Sequence, residues 1–300
     1  MENSFNEIFT KADSYEVKGV KVNLSHSILD EGIRHLVKIR ERNSNKGNYG
    51  HVMIIAGSHG KMGAAVLASK SCLRSGVGLL TSYIPKCGYT VLQTSVPEAM
   101  CLTDKNENWL SELPKKLPYH AIGIGPGIGT EKETQACLQS LLVLENNPMV
   151  IDADALNLIA ENPAMLKDIP KDAILTPHIR EFERLVGNWN TLEERFEKQK
   201  KFAEKYQCIL VLKDAETCIC SPLGDIYINT IGNAGMATGG SGDVLTGIIT
   251  GLLGQGYLPL HAALIGVYFH AKAGDAAAEI KGKNALIASD IIEHLKIERN

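Results

Sequence analysis

Asn233-Ala234-Gly235-Met236-Ala237-Thr238-Gly239-Gly240-Ser241-Gly242-Asp243-Val244-Leu245-Thr246-Gly247 reads as a glycine-rich loop that runs straight into a helix, with a carboxylate in the first helical turn. Glycine lets the backbone bend so that several N–H groups converge on one anion. The helix start adds unpaired donors and the positive end of the dipole. A transferring phosphoryl group can be held there without a lysine-rich patch, so Gly239, Gly240, Ser241 and Gly242 form the expected anion hole. The same dipole is expected to keep Asp243 ionised, and a fixed carboxylate beside an anion hole suits accepting a proton from an attacking hydroxyl. An Asp at a helix start also serves as a simple cap. Five glycines between positions 235 and 247 favour the catalytic role, because each costs chain entropy on folding.

Outward from this stretch, strand-like and helix-like segments alternate. The apolar run from His51 to Ala56 ends at Gly57 and precedes a helical stretch from Ala64 to Ser75, the opening of a βαβ unit. Further strands are expected at 79–84, 121–125, 149–152, 173–176 and 209–212, and further helices at 130–145, 191–206, 244–253 and 260–279. Such alternation implies α/β architecture, a mostly parallel sheet with helices on both faces. Segments 217–220 and 226–230, joined by Ser221-Pro222-Leu223-Gly224-Asp225, predict an antiparallel hairpin at the sheet edge. No linker divides the chain, so residues 46–300 are expected to be one domain preceded by a loosely attached segment, 1–45, in which only 27–42 reads as helical.

Composition narrows the function classes. The chain has 300 residues, 44% hydrophobic and 22% charged, with a formal net charge of −3 and no dense Lys/Arg block, which argues against a nucleic-acid-binding surface. No apolar run approaches the ~18 residues of a membrane span, and the polar N-terminus lacks a leader pattern, so a cytoplasmic enzyme is expected. The seven cysteines contain no C-x-x-C pair and read as small buried side chains.

The glycine-rich stretch resembles the ribokinase-like superfamily, in which a glycine-rich loop ending in Asp precedes a helix. Its wording is narrower and is similar to the signature of the ADP/ATP-dependent (S)-NAD(P)H-hydrate dehydratases. Four segments carry the same resemblance in the same order: 46–52, Gly57-Ser58 through Met62-Gly63-Ala64-Ala65, Gly125-Pro126-Gly127-Ile128-Gly129, and Thr176-Pro177-His178 with Glu181 and Phe182. The resemblance spans about residues 46 to 290 and implies a three-layer ribokinase-like sandwich. It implies that Asp243 is the catalytic base and that Ala64, Gly127, His178 and Asp243 contact the hydrated dinucleotide. Lys213, Asp214, Ala215, Glu216, Thr217 and Gly242 would contact the adenine nucleotide, and Glu181 would position Mg²⁺ through water. ADP or ATP would be the co-substrate, AMP and phosphate the by-products of ADP, and a homotetramer the assembly.

The residues themselves leave alternatives at several of these positions. The loops at 57–63 and 125–129 follow predicted strands, where open α/β sheets bind ligands, but tight turns need glycine too. His178 stands where related sugar and vitamin kinases carry Asn, which separates a dehydratase from a kinase; a lone His near a helix start is also a common structural residue. Asp214 occupies a position that is usually glycine, and Lys213 suits either a phosphate or a nearby acid. Asp152 and Asp154 end a strand and begin a helix, as site carboxylates or as caps. The rival reading is a small-molecule kinase of the same fold, acting on a vitamin precursor or sugar.

Overall fold

The computed structural model describes residues 8–17, 20–114, 118–144 and 146–299. An eleven-stranded sheet runs through it, in the order β1-β2-β11-β10-β9-β8-β7-β6-β3-β4-β5. The parallel part comprises β3 (His51–Ile55), β4 (Leu79–Ile84), β5 (Met100–Thr103), β6 (Ala121–Ile124), β7 (Met149–Ile151), β8 (Ile174–Leu175) and β9 (Ile209–Leu212). Period two along each strand sends alternate side chains to opposite faces. Val52 and Ile54 join one buried cluster with α1 (Met62–Arg74), α7 (Ser241–Gly254), α8 (Pro259–Lys281) and α9 (Ala288–Glu293). Met53 and Ile55 join another with α3 (Lys132–Leu144), α4 (Ala153–Glu161), α5 (Ile179–Val186) and α6 (Leu192–Tyr206). The short α2 (Tyr89–Ser95) sends Leu92 into the first cluster. Both faces of the central strands are thus covered, which is why β3, β6, β7, β8 and β9 are nearly all apolar rather than alternating.

The hairpin forms as expected: β10 (Thr217–Cys220) pairs antiparallel with β11 (Ile226–Asn229) around Gly224. The sheet does not end there. β2 (Val20–Ile28) runs parallel beside β11, and β1 (Thr10–Val17) pairs antiparallel with β2 to make the edge. The segment before residue 46 therefore differs from the loosely attached, helical reading. Ser27 lies in strand β2, among the described residues of this segment only Glu31–Leu36 is helical and it is of the 3₁₀ type, and Phe9, Leu29, Ile33 and Val37 are buried in the first cluster. Polar residues such as Thr10, Lys11 and Asp13 hid these strands, as befits an edge with one face toward water. All seven cysteines are free, five of them buried. No helix among the described residues is long and apolar enough to cross a membrane.

Helix α7 is placed by a seam of small residues. A Cβ built on Gly247 would lie 2.1 Å from the Ala68 carbonyl oxygen and 2.1 Å from Ser71 Oγ, so α1 and α7 touch backbone to backbone. In an isolated helix Gly→Ala gains about 1 kcal/mol of propensity. Here Gly247→Ala is expected to cost about 1–3 kcal/mol through overpacking, lowering the melting midpoint by several degrees. A midpoint that stays level or rises in a thermal scan would remove close contact as the reason for this glycine.

Candidate active site

Strand order reverses beside β3: the chain goes out through β4 and β5, then returns to place β6 on the other side. Such a switch point opens a crevice at the carboxyl ends of the strands. The loops after β3 and β6 lie there and are fastened together. Gly57 N–H donates to the Pro126 carbonyl at 2.8 Å, and the Ser58 hydroxyl donates to the Gly127 carbonyl at 2.8 Å. Gly127 has φ +63°, and a Cβ there would stand 3.0 Å from both Ala64 Cβ and the Lys61 carbonyl. Gly127 and Ala64, expected on sequence grounds to share a site, are therefore in contact.

One turn along the same face of α1, Leu67 meets the glycine-rich loop, because a Cβ on Gly240 would fall 2.4 Å from Leu67 Cδ1. Gly240 is the N-cap of α7 in a left-handed conformation, φ +91° and ψ −10°, which glycine adopts without strain. The helical ladder begins with Val244 N–H donating to the Gly240 carbonyl at 3.0 Å, so the N–H groups of Gly242 and Asp243 have no partner within the helix. Ser241 differs from its expected role. Its N–H makes a 3.4 Å bond to the Thr238 carbonyl, and its hydroxyl is buried 3.3 Å from His270 Nε2. Burial pushes His270 down to about 4, so this ring is neutral and structural.

Beneath this turn lies a buried carboxylate. Asp152, just past the end of β7, accepts from Lys213 Nζ at 2.7 Å on one oxygen and from the Thr246 hydroxyl at 2.6 Å on the other. A Cβ on Gly242 would stand 3.2 Å from Lys213 Nζ and 3.7 Å from Asp152 Oδ2, so the first turn of α7 sits directly on the pair. Asp154 accepts from Gly129 N–H at 2.9 Å and from Lys61 Nζ at 3.2 Å, tying the β6 loop to α4. Between these acids Ala153 has φ +49°, a strained value for a residue with a side chain. Burial first, and then the neighbouring Asp152 carboxylate, raise the Asp243 pKa to about 7, against the pull of Lys213. Desolvation and a like charge thus oppose the helix end, which was expected to keep Asp243 ionised.

His178 and Lys213 meet as a single parallel bridge at the ends of their strands, and Lys213 N–H donates to the Pro177 carbonyl at 2.8 Å. His178 is the N-cap of α5. Its Nδ1 accepts from Glu181 N–H at 3.2 Å, and Glu181 Oε2 accepts from His178 N–H at 2.8 Å, a reciprocal capping box. Half of the His178 side chain stays exposed, while Glu181 is buried and occupied by this cap. Along the expected nucleotide segment, Asp214 accepts from Arg195 Nη1 at 3.1 Å, which accounts for a carboxylate at a glycine position. Glu216 accepts from the Tyr15 phenol, and Thr217 opens β10 opposite Asn229. Among the described residues no group of three His, Cys, Asp or Glu side chains could hold a metal ion.

A cavity of about 1030 Å³ lies elsewhere, lined by Lys38, Arg40, Tyr49, Arg74 and Tyr257 among others, near the amino ends of β3 and β4. Its size does not make it the site. Lys38 is bonded to the Gln255 and Gly256 carbonyls and Arg40 to that of Gly76. The glycine loops and the coupled acids gather at the opposite edge of the sheet.

The chain is 40% identical over 266 residues to the bifunctional NAD(P)H-hydrate repair enzyme Nnr of Moorella thermoacetica, covering 85% of this chain and 50% of that one. It thus spans about half the length of the bifunctional relatives it matches. Against the ADP-dependent (S)-NAD(P)H-hydrate dehydratase of Bacillus subtilis the identity is 34% over 270 residues, covering 89% of this chain and 95% of the relative. The crystal structure of the ADP/ATP-dependent NAD(P)H-hydrate dehydratase from Bacillus subtilis, co-crystallized with ATP/Mg²⁺, superposes with a TM-score of 0.78 at 32% identity, over 89% of this chain and 95% of that one. Residues 52–296 match the family described as NAD(P)H-hydrate dehydratase, and with the ribokinase-like sandwich already in view, the chain belongs to that family.

Proposed function

We propose that the protein dehydrates the S-epimer of hydrated NADH or NADPH at the expense of ADP or ATP, with Asp243 as the general base. The single observation that carries this reading is the placement of Asp243 in the first turn of α7, beside the N–H groups of Gly242 and Asp243 and above the Asp152–Lys213 pair. A carboxylate poised near neutrality both accepts a proton and releases it within one turnover. Asp243 takes the proton of the C6 hydroxyl as that oxygen attacks the terminal phosphorus of the nucleotide, whose bond to the bridging oxygen breaks to release AMP from ADP or ADP from ATP. The first-turn N–H groups face the charge that builds on the phosphoryl oxygens. The phosphoester then leaves as phosphate, driven by the ring nitrogen lone pair, and loss of the C5 proton restores the dihydropyridine.

In this reading Ala64, Gly127 and His178 hold the hydrated dinucleotide, and Lys213–Thr217 with Gly242 hold the nucleotide. Mg²⁺ would arrive on the phosphates rather than in a protein cage, since Mg²⁺ is commonly held by phosphate oxygens and water with one or two carboxylates. The Bacillus subtilis crystals with ATP/Mg²⁺ support this pairing. A homotetramer is the proposed assembly, checked by light scattering.

Incubation with enzymatically hydrated NADH, Mg²⁺ and either ADP or ATP is expected to restore the NADH absorbance, with AMP and phosphate released from ADP. No recovery with either nucleotide would sink the dehydratase reading. A stable phosphorylated product without recovered absorbance would favour the kinase.

A further inference from the structure

The edge strand β1 reaches the segment assigned above to the nucleotide. Tyr15 is buried, and its phenol donates to the Glu216 carboxylate. The ring is held on two sides, edge-on to Phe196 with centroids 5.5 Å apart and edge-on to His26 at 5.7 Å. His26 is itself fixed by a 2.9 Å bond from Nδ1 to the Leu24 carbonyl. Phe196 follows Arg195 on α6, and Arg195 lies 5.0 Å over the Phe196 ring while bonding Asp214. Two acids two residues apart in one short connection are thus clamped from two elements, Asp214 by Arg195 and Glu216 by Tyr15, and these two clamps pack on each other through Phe196. Burial and the adjacent carboxylate push the Tyr15 phenol upward, so it remains a donor at every working pH. Strand β1 lies ahead of residues 52–296, the part matched by the family model.

We infer that Tyr15 is a positioning residue for the nucleotide: by fixing the Glu216 carboxylate it preorganises the Lys213–Thr217 segment, setting affinity for ADP without touching the hydrated dinucleotide. The inference rests on the nucleotide role proposed for that segment. Preorganisation raises affinity by removing the cost of ordering a loop at binding.

The test uses the full chain and ADP as the probe. Tyr15→Phe keeps the ring packing and removes only the hydroxyl. It is expected to weaken ADP binding about fivefold by calorimetry and to raise the KM for ADP in step, while the KM for hydrated NADH stays within about twofold. In a double-variant cycle, Tyr15→Phe combined with Glu216→Ala is expected to bind ADP no worse than Glu216→Ala alone, because Tyr15 acts through that carboxylate. Unchanged ADP affinity in Tyr15→Phe overturns the inference. So do equal losses for both substrates, a lost thermal transition, or additive effects in the cycle. A wild-type protein that binds no ADP overturns the nucleotide reading itself, a result distinct from wild-type affinity retained in the variant.

Discussion

Asp243→Asn is expected to reduce kcat about a thousandfold or more while making the protein more stable at pH 8. The first effect follows from the proposed role as base, since a positioned base typically contributes about 10²–10⁴-fold, together with the loss of a charge-matched contact to the attacking hydroxyl. Asn keeps the shape, so ADP affinity should change by no more than a few-fold. The second effect follows from the direction of the pKa shift. The folded value lies at about 7, above the ordinary aspartate value of 3.8, so the fold favours the neutral acid. Below about pH 4 both folded and unfolded chains carry the proton, and wild type and variant should melt alike. Between about pH 4 and 7 the unfolded chain ionises first, and the wild type loses stability as pH rises. Above about pH 7 the full difference is present, on the order of 2 kcal/mol once solvent screening of a partly exposed group is allowed for. Melting scans at pH 4 and pH 8 with steady-state kinetics check both effects. A variant keeping a tenth of the wild-type kcat, or melting below wild type at pH 8, would show that Asp243 is a structural cap.

The framework of the site could be read from residues because its chemistry is local. A glycine-rich turn running into a helix announces itself in fifteen consecutive positions, and the strands β3, β6, β7 and β9 are apolar on both faces, which only a doubly covered sheet requires. The partners that tune the site come from far along the chain and leave no local signature. Thr246 and Asp152 are separated by 94 positions, Lys213 and Asp152 by 61. The strand-end Asp152 was visible as a candidate, but nothing near it says that both its oxygens are occupied or that Ala153 turns left-handed to present Asp154 to the β6 loop. His178 and Glu181 show the converse. Their spacing of three, which the resemblance ties to substrate and Mg²⁺, is also the spacing of a capping box, and the structure shows that box. Strand β1 is hidden in the sequence because an edge strand tolerates polar residues, which erases the pattern that reveals a buried strand, and β2, which pairs with it, is hidden by its own Lys21, Asn23, Ser25 and Ser27. The Tyr15–Glu216 contact was hidden with them.

The pH dependence of turnover offers the sharpest probe of how the buried charges act together. With Asp243 at about 7, kcat/KM should climb about tenfold per unit below that value and flatten above about pH 8. Three charged groups face Asp243: Asp152 and Asp154 push its pKa up, and Lys213 pulls it down. Asp152→Asn removes the largest of these repulsions and leaves Lys213 in place, so the acid limb is expected to move about one unit toward lower pH. Lys213→Met removes the only attraction and should move the limb the other way. Asp154→Asn should shift it in the same direction as Asp152→Asn but less, as the weakest of the three influences. Opposite displacements from the two ends of one ion pair could not arise from a general loosening of the fold, which would lower activity at every pH alike. Asp152→Asn also leaves Lys213 without its carboxylate and weakens the acceptor for Thr246. It is therefore expected to cost about 3 kcal/mol of stability, at the lower end for a broken buried pair because the Lys213 side chain is 21% exposed. If both variants shift the limb in the same direction, or neither shifts it, then the base seen in turnover is not Asp243 coupled to this pair.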